Sequence, residues 1–239
     1  MITGANTGLG QAIAIALAEA GAEIVAVGRT EPTETQAAVL ALGRRFLAVR
    51  ADLDSTEAIP AVVDAAVAEF GEIDILVNNA GIIRRREAID FSEADWDAVM
   101  NVNLKSAFFL TQAVGRRMLA ARRGKIINIA SLLSFQGGIR VASYTASKSG
   151  IAGLTRLLAN EWAGKGVNVN AIAPGYFATN NTAALQADEN RNREILARIP
   201  AGRWGQPQEV GGAAVFLACP ASDYVHGAVI PVDGGWLAR

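Results

Sequence analysis

Six short runs rich in β-branched and other apolar residues recur along the chain, at 23–27, 45–51, 73–78, 125–130, 167–173 and 228–232, and Ala-rich stretches of helical period separate nearly all of them. The runs are almost continuously apolar instead of alternating, as parallel strands covered on both faces must be. A single-domain α/β architecture is therefore expected, a doubly wound parallel sheet with helices on both faces. With 51% hydrophobic residues, 239 residues suffice for one large core, and no repeat, low-complexity tract or Pro/Ser-rich linker divides them.

Lys and Arg number 22 against 23 Asp and Glu. No general basic field draws nucleic acid or an anionic membrane, so the expected partner is a small-molecule substrate. The single Cys219 has no internal disulfide partner and the lone His226 cannot build a His-rich metal site. No metal is expected, and a reducing cytoplasm suits both residues. Residues 12–22 are apolar but short, contain Glu19 and follow no basic segment, which predicts a buried helix and not a secretion signal.

Thr3, Gly4, Ala5, Asn6, Thr7, Gly8, Leu9 and Gly10 precede that helix. Their glycines let the backbone approach a pyrophosphate at the helix's positive end, although an ordinary tight turn has the same composition. The next run ends at Gly28 and Arg29, where an NAD site usually carries a carboxylate for the adenosine ribose. Arg29 can pair with the 2′-phosphate of NADP instead, or stand as a solvated surface arginine, with Glu31 and Glu34 close enough to occupy it or to repel a phosphate. Asp52 and Leu53 follow the run at 45–51, and Asn79, Ala80 and Gly81 follow the run at 73–78, at carboxyl ends where such sheets bind ligands. Asp52 suits the adenine amino group, and Ala80 with Gly81 leaves room for a cofactor against the backbone.

Tyr144 and Lys148 open a helical pattern and share one face at i and i+4. A free phenol titrates near 10, too high for ready proton exchange. An ammonium about 4 Å away at an effective dielectric of ~20 favours the phenolate by about 4 kcal/mol, nearly three pKa units before desolvation is subtracted. A half-buried Tyr beside a solvated Lys would give the same spacing, but Ser131 ends a strand thirteen residues earlier and can converge on the same substrate oxygen, with Ser134 as a substitute. Asn103, inside an apolar helical pattern, either satisfies a buried backbone group or holds a water that relays the proton.

Thr3 to Gly10, Asn78 to Gly81, Asn103, Ser131, Tyr144, Lys148 and Pro174 with Gly175, in this order, resemble the short-chain dehydrogenase/reductase family over essentially the whole chain. The resemblance implies a Rossmann-type fold, an NAD or NADP cofactor, and Tyr144 as catalytic acid/base. It implies that Lys148 lowers the Tyr144 pKa and binds the nicotinamide ribose, that Ser131 positions the reacting oxygen, and that Asn103 completes a tetrad. Pro174, Gly175 and Thr179 would border the nicotinamide. Residues 83–87, 134–140, 176–182 and 233–236 are similar to a sugar-acid branch of the family, commonly associated with NAD and usually homotetrameric. Substrate-binding candidates are then Arg84, Arg86, Gln136, Arg140, Asn180 and Arg203, with Arg140 the first choice for a carboxylate. Trp204 and Trp236 read as packing residues. A 3-oxoacyl or polyol specificity is the alternative within the family, and a non-catalytic nicotinamide sensor the alternative outside it.

Two expectations concern architecture. Residues 174–193 lose their period and fill with Asn, Thr and Ala, which predicts a long loop, either a lid closing over substrate or a disordered excursion. Only Met1 and Ile2 precede Thr3, where the family has a complete central strand, so a shortened first strand is expected, with its two neighbours lacking their shared partner.

Overall fold

The runs become strands β2 (Ile24–Gly28), β3 (Phe46–Arg50), β4 (Ile75–Asn78), β5 (Gly124–Ile129), β6 (Val167–Pro174) and β7 (Val229–Val232), preceded by a two-residue β1 (Ile2–Thr3), in a computed structural model that describes residues 1–239. All pair in parallel in the order β3-β2-β1-β4-β5-β6-β7. The winding reverses between β1 and β4, and such a switch point leaves a crevice at the carboxyl ends of the strands.

Nine helices cover the sheet: α1 (Gly8–Glu19), α2 (Thr33–Ala41), α3 (Ile59–Phe70), α4 (Glu93–Met100), α5 (Ser106–Ala121), α6 (Ala142–Trp162), α7 (Ala183–Ala187), α8 (Glu189–Arg198) and α9 (Gly211–Ala218). Successive strand residues point to opposite faces, so Leu76 and Ile126 pack with Val62, Val114 and Leu158 from α3, α5 and α6. Their neighbours Val77 and Ile127 pack with Ile13, Leu17 and Leu217 from α1 and α9. Each fully buried aliphatic side chain contributes about 1.5–3 kcal/mol. Both faces therefore demand apolar residues, which explains the unbroken runs.

Short as it is, β1 keeps both neighbours: Ile2 and Thr3 are in register with Ala26 and Val27, and Ile2 with Val77. Bonds from Gly4 N to the Val27 carbonyl (2.8 Å) and from Val77 N to the Met1 carbonyl (2.9 Å) extend the ladder. The expected loss of a shared partner is thus confined to the ends of β2 and β4.

Residues 174–193 are not the long irregular loop expected. Thr179–Thr182 forms a capping box at a 3-10 turn, α7 follows, and the Asp188 carboxylate accepts from the amides of Asn190 and Arg191 to start α8. Helices this short bury few residues, with Ile195 alone in α8, so apolar periodicity is too weak to read; the Asp188 cap was the available signal. Between α4 and α5, Asn101–Lys105 forms one wide π turn, and Asn103 is buried within it. No helix is long and apolar enough to cross a membrane.

Candidate active site

A cleft of about 1070 Å³ runs along the carboxyl ends of the strands, bordered by the Gly-rich turn at one end and by α8 and Trp236 at the other. This exceeds a typical small-ligand pocket and suits a dinucleotide with its substrate. At the turn, Gly4 and Gly8 adopt φ of +67° and +59°, and a Cβ on Gly10 would stand 2.1 Å from the Gly4 carbonyl oxygen. The amides of Gly8, Leu9 and Gly10 find no acceptor in the chain, Thr7 offers no side-chain cap, and the first turn of α1 holds no acid. Free N–H groups at a helix's positive end, with no side chain over them, fit a pyrophosphate. Thr3 Oγ1 and Asn79 Nδ2 pin the turn to β4: Asn79 donates to the carbonyls of Thr3 (2.9 Å) and Gly4 (3.1 Å), and Thr3 accepts from the amides of Asn79 (3.0 Å) and Ala80 (2.9 Å). Asn79 therefore shapes the cradle.

Arg29, Asp52 and Leu53 also border the cleft, together with Thr30, which accepts from Asn6 Nδ2 at 2.9 Å. Arg29 is exposed and forms no ion pair; Glu31 and Glu34 leave it free. Ala80, Gly81, Pro174, Gly175, Thr179 and Asn180 line the middle of the cleft, and Thr179 Cγ2 would lie 3.6 Å from a Cβ on Gly8. The segment after β6 thus meets the phosphate turn.

Ser131, Tyr144 and Lys148 meet on the cleft floor, where β5 ends and α6 begins. Ser131 caps a short 3-10 turn by accepting from Leu133 N at 3.2 Å, which fixes its hydroxyl at the strand end. Ser134 is tied to the Lys148 carbonyl at 2.7 Å and does not border the cleft. Lys148 is 4% exposed, donates to the Ile129 carbonyl at 2.6 Å and lies 5.6 Å from the Tyr144 ring centroid. Burial pushes its pKa down to about 8.

Lys148 is not among the main influences on the Tyr144 phenol in this geometry. Burial is the largest influence on the phenol and raises its pKa; hydrogen bonding with Ser131 and the charge of Arg85 oppose it. Lys148 directs its ammonium to the Ile129 carbonyl and forms no hydrogen bond with the Tyr144 hydroxyl. Burial thus favours the neutral phenol.

Asn103 is 2% exposed and lies behind the cleft. Its Oδ1 accepts from Ile82 N (2.8 Å), and its Nδ2 donates to the Ile82 carbonyl (2.9 Å) and Ser147 Oγ (3.3 Å). Deeper still, Asn78 donates to Thr111 (2.7 Å) and Asn128 (2.8 Å), and Asn128 donates to Thr155 (2.9 Å). This buried network joins β4 and β5 to α5 and α6 beneath the site.

The arginines divide unexpectedly. Arg84 and Arg86 turn to Asp95 at the start of α4. Arg203 forms a two-pronged pair with Glu209 away from the cleft (2.7 and 2.6 Å), holding that carboxyl down to about 2. Arg140 borders the cleft but is paired with Glu87 at 2.5 Å. Of the arginines away from the phosphate turn, Arg85, which donates to the Asn181 carbonyl at 3.3 Å, and Arg198, which donates to Gln136, border the cleft without a carboxylate partner. Asp95 lies ten residues from Arg85, and nothing in sequence spacing announces which of three consecutive arginines it leaves free. Trp204 packs edge-on to Tyr176, as a packing residue should, but Trp236 is both packed and part of the cleft wall.

Comparison with known proteins agrees with this geometry. The family profile described as enoyl-(acyl carrier protein) reductase matches residues 4–237. The 2-dehydro-3-deoxy-D-gluconate 5-dehydrogenase of Escherichia coli (strain K12) is 65% identical over 240 residues, spanning 100% of this chain and 95% of that protein. The protein of the same name from Bacillus subtilis (strain 168) is 58% identical, spanning 100% and 94%. A solved gluconate 5-dehydrogenase from Burkholderia cenocepacia J2315, in complex with NADP and tartrate, matches with a TM-score of 0.94 at 42% identity, covering 100% of this chain and 94% of that one. With the phosphate turn, the switch-point cleft and the Ser–Tyr–Lys floor in one chain, these matches place it in the short-chain dehydrogenase/reductase family of NAD(P)-dependent oxidoreductases.

Proposed function

We propose that the chain interconverts a secondary hydroxyl and a ketone of a sugar acid such as 2-dehydro-3-deoxy-D-gluconate or 2-deoxy-D-gluconate. The observation that carries this reading is a proton-transfer floor of Ser131, Tyr144 and Lys148 facing arginines that no carboxylate of the chain neutralises. The names of the relatives support it. When bound, the nicotinamide cofactor supplies or accepts the hydride. Tyr144 gives its proton to the carbonyl oxygen during reduction, and Ser131 donates a hydrogen bond to the same oxygen. Lys148 holds a positive charge beside the Tyr144 ring and would hold the ribose of a bound cofactor; Asn103 secures the Ile82 segment, and its second Oδ1 lone pair can hold a relay water. Thr179, Asn180 and the α7–α8 segment close over the substrate. A 3-oxoacyl chain would leave the arginines unpaired, which disfavours that alternative.

Assay of nicotinamide absorbance with NAD(H) and NADP(H) against keto-sugar acids, acyl ketones and polyols tests the reading. Turnover of sugar acids is expected. Turnover of acyl ketones alone would overturn the substrate, and tight cofactor binding without any turnover would favour a sensor.

The unpaired Arg29 supports NADP. Arg29→Ala is expected to weaken NADPH binding about 10- to 100-fold, the value of a charged hydrogen bond, and to leave NADH within about threefold, by fluorescence titration. A pH dependence also follows. Lys148 is charged below its pKa of about 8, so kcat/KM for ketone reduction should fall above that pH. Lys148→Arg should carry the falling limb beyond the assay range, because a guanidinium keeps its proton.

We also infer a homotetramer working in the cytoplasm. Trp96, Phe109 and Leu157 stand 40%, 39% and 48% exposed on α4, α5 and α6, an apolar surface that subunit contacts would cover. Light scattering at micromolar concentration checks the mass.

A further inference from the structure

Gln136 from the β5–α6 connection, Arg198 from the last turn of α8 and Trp236 from the segment after β7 meet in the cleft wall. Gln136 Oε1 accepts from Arg198 Nη2 at 2.9 Å and from Trp236 Nε1 at 3.1 Å. The Arg198 guanidinium lies 4.1 Å from the centroid of the Trp236 ring. Indole N–H and guanidinium groups can only donate, so they decide which way the amide faces. Turned by 180°, the amide would bring a third donor group against the other two and lose both bonds. Its oxygen therefore faces Arg198 and Trp236, and its Nε2 faces elsewhere. Among the hydrogen bonds of the chain, none takes a proton from that Nε2, and Gln136 borders the cleft.

The charges around it favour an anion. Arg198 has no carboxylate partner, and stacking on an indole holds a guanidinium in place. The acids nearest on α8 are already engaged: Glu194 pairs with Arg191 at 2.7 Å, and Asp188 caps the helix. Bonding of the amide oxygen to a cation also polarises the NH₂ into a stronger donor.

We propose that Gln136 is a specificity-determining residue, held by Arg198 and Trp236 so that its NH₂, beside the guanidinium, binds the substrate carboxylate. This rests on the sugar-acid reading and deepens it, because it assigns the acid group to the wall formed by α8 and Trp236 while the ketone sits at Tyr144. Arg198 and Trp236 act as positioning residues. A neutral acyl or polyol substrate would leave the amide and guanidinium protons unpaired on closure, which is how such a site rejects it.

The test is Gln136→Glu, which keeps an acceptor for both neighbours but replaces the donor by a negative charge. With 2-dehydro-3-deoxy-D-gluconate, KM should rise about 10- to 100-fold, as for loss of a hydrogen bond to a charged group, while kcat stays within about threefold. NADPH affinity should be unchanged. A keto-sugar carrying CH₂OH in place of the carboxylate should lose much less, so the ratio of kcat/KM for acid over neutral sugar falls. Trp236→Phe keeps the ring under Arg198 and deletes one donor; KM for the acid should rise about three- to tenfold at constant kcat, the value of one neutral hydrogen bond. A Gln136→Glu protein with unchanged KM for the acid, or with equal losses for acid and neutral sugar, would overturn the proposal. If the wild type turns over no sugar acid, the underlying reading falls and the proposal with it, and that result is read independently of either variant.

Discussion

Tyr144→Phe is expected to lower kcat for ketone reduction about 10²- to 10⁴-fold, the range of a positioned general acid. Burial favours the protonated phenol and Ser131 meets it at the strand end, so on the proposed mechanism its hydroxyl supplies the proton. The ring that packs 5.6 Å from the Lys148 ammonium remains in the variant, and no backbone bond depends on the hydroxyl. Cofactor affinity and Tm should therefore stay close to wild type. Steady-state kinetics, NADPH titration and thermal unfolding together check this. Retention of more than about a tenth of kcat would remove Tyr144 from the acid's role, since even a weak general acid contributes more.

Gly10→Ala carries the largest expected cost to the fold and the cofactor site together. The new methyl would stand 2.1 Å from the Gly4 oxygen and 2.4 Å from Asn79 Nδ2. Neither can retreat freely, because Asn79 Nδ2 is bonded to the carbonyls of Thr3 and Gly4, and the turn is anchored through Thr3 to β4. Overpacking of this kind costs about 2–4 kcal/mol. At about 2–4 °C per kcal/mol for a chain of this size, Tm should drop roughly 5–15 °C. NADPH binding should weaken at least about tenfold, because the displaced amides are those left free for the pyrophosphate. Gly153→Ala is the contrast: nothing lies within 4 Å of a Cβ there, inside α6. It should raise stability by about 0.5–1 kcal/mol through helix propensity alone. A Gly10→Ala protein as stable as wild type would show that the turn yields, against its apparent rigidity.

The parallel sheet, the phosphate turn and the Tyr144–Lys148 face were legible because each is a local pattern. Unbroken apolar runs follow from two covered faces, glycine spacing from backbone crowding, and i,i+4 from the helical repeat. Ser131 was legible as well, because a strand end fixes where its side chain emerges. The α7–α8 segment was not, since helices with at most one buried residue leave no apolar stripe.

What the chain determined by itself, then, is the architecture and the meeting of Ser131, Tyr144 and Lys148 in one cleft, both written in short-range spacing. Tertiary structure alone decided their electrostatics and the far wall of the cleft. That Lys148 donates to the Ile129 carbonyl depends on where β5 ends beneath α6. Arg85 stays free because Asp95, across a turn, takes Arg84 and Arg86, and Gln136 is oriented by residues 62 and 100 positions away. Such pairings depend on distances in space between distant segments, and charges cancel or act according to those distances, which no sequence spacing records.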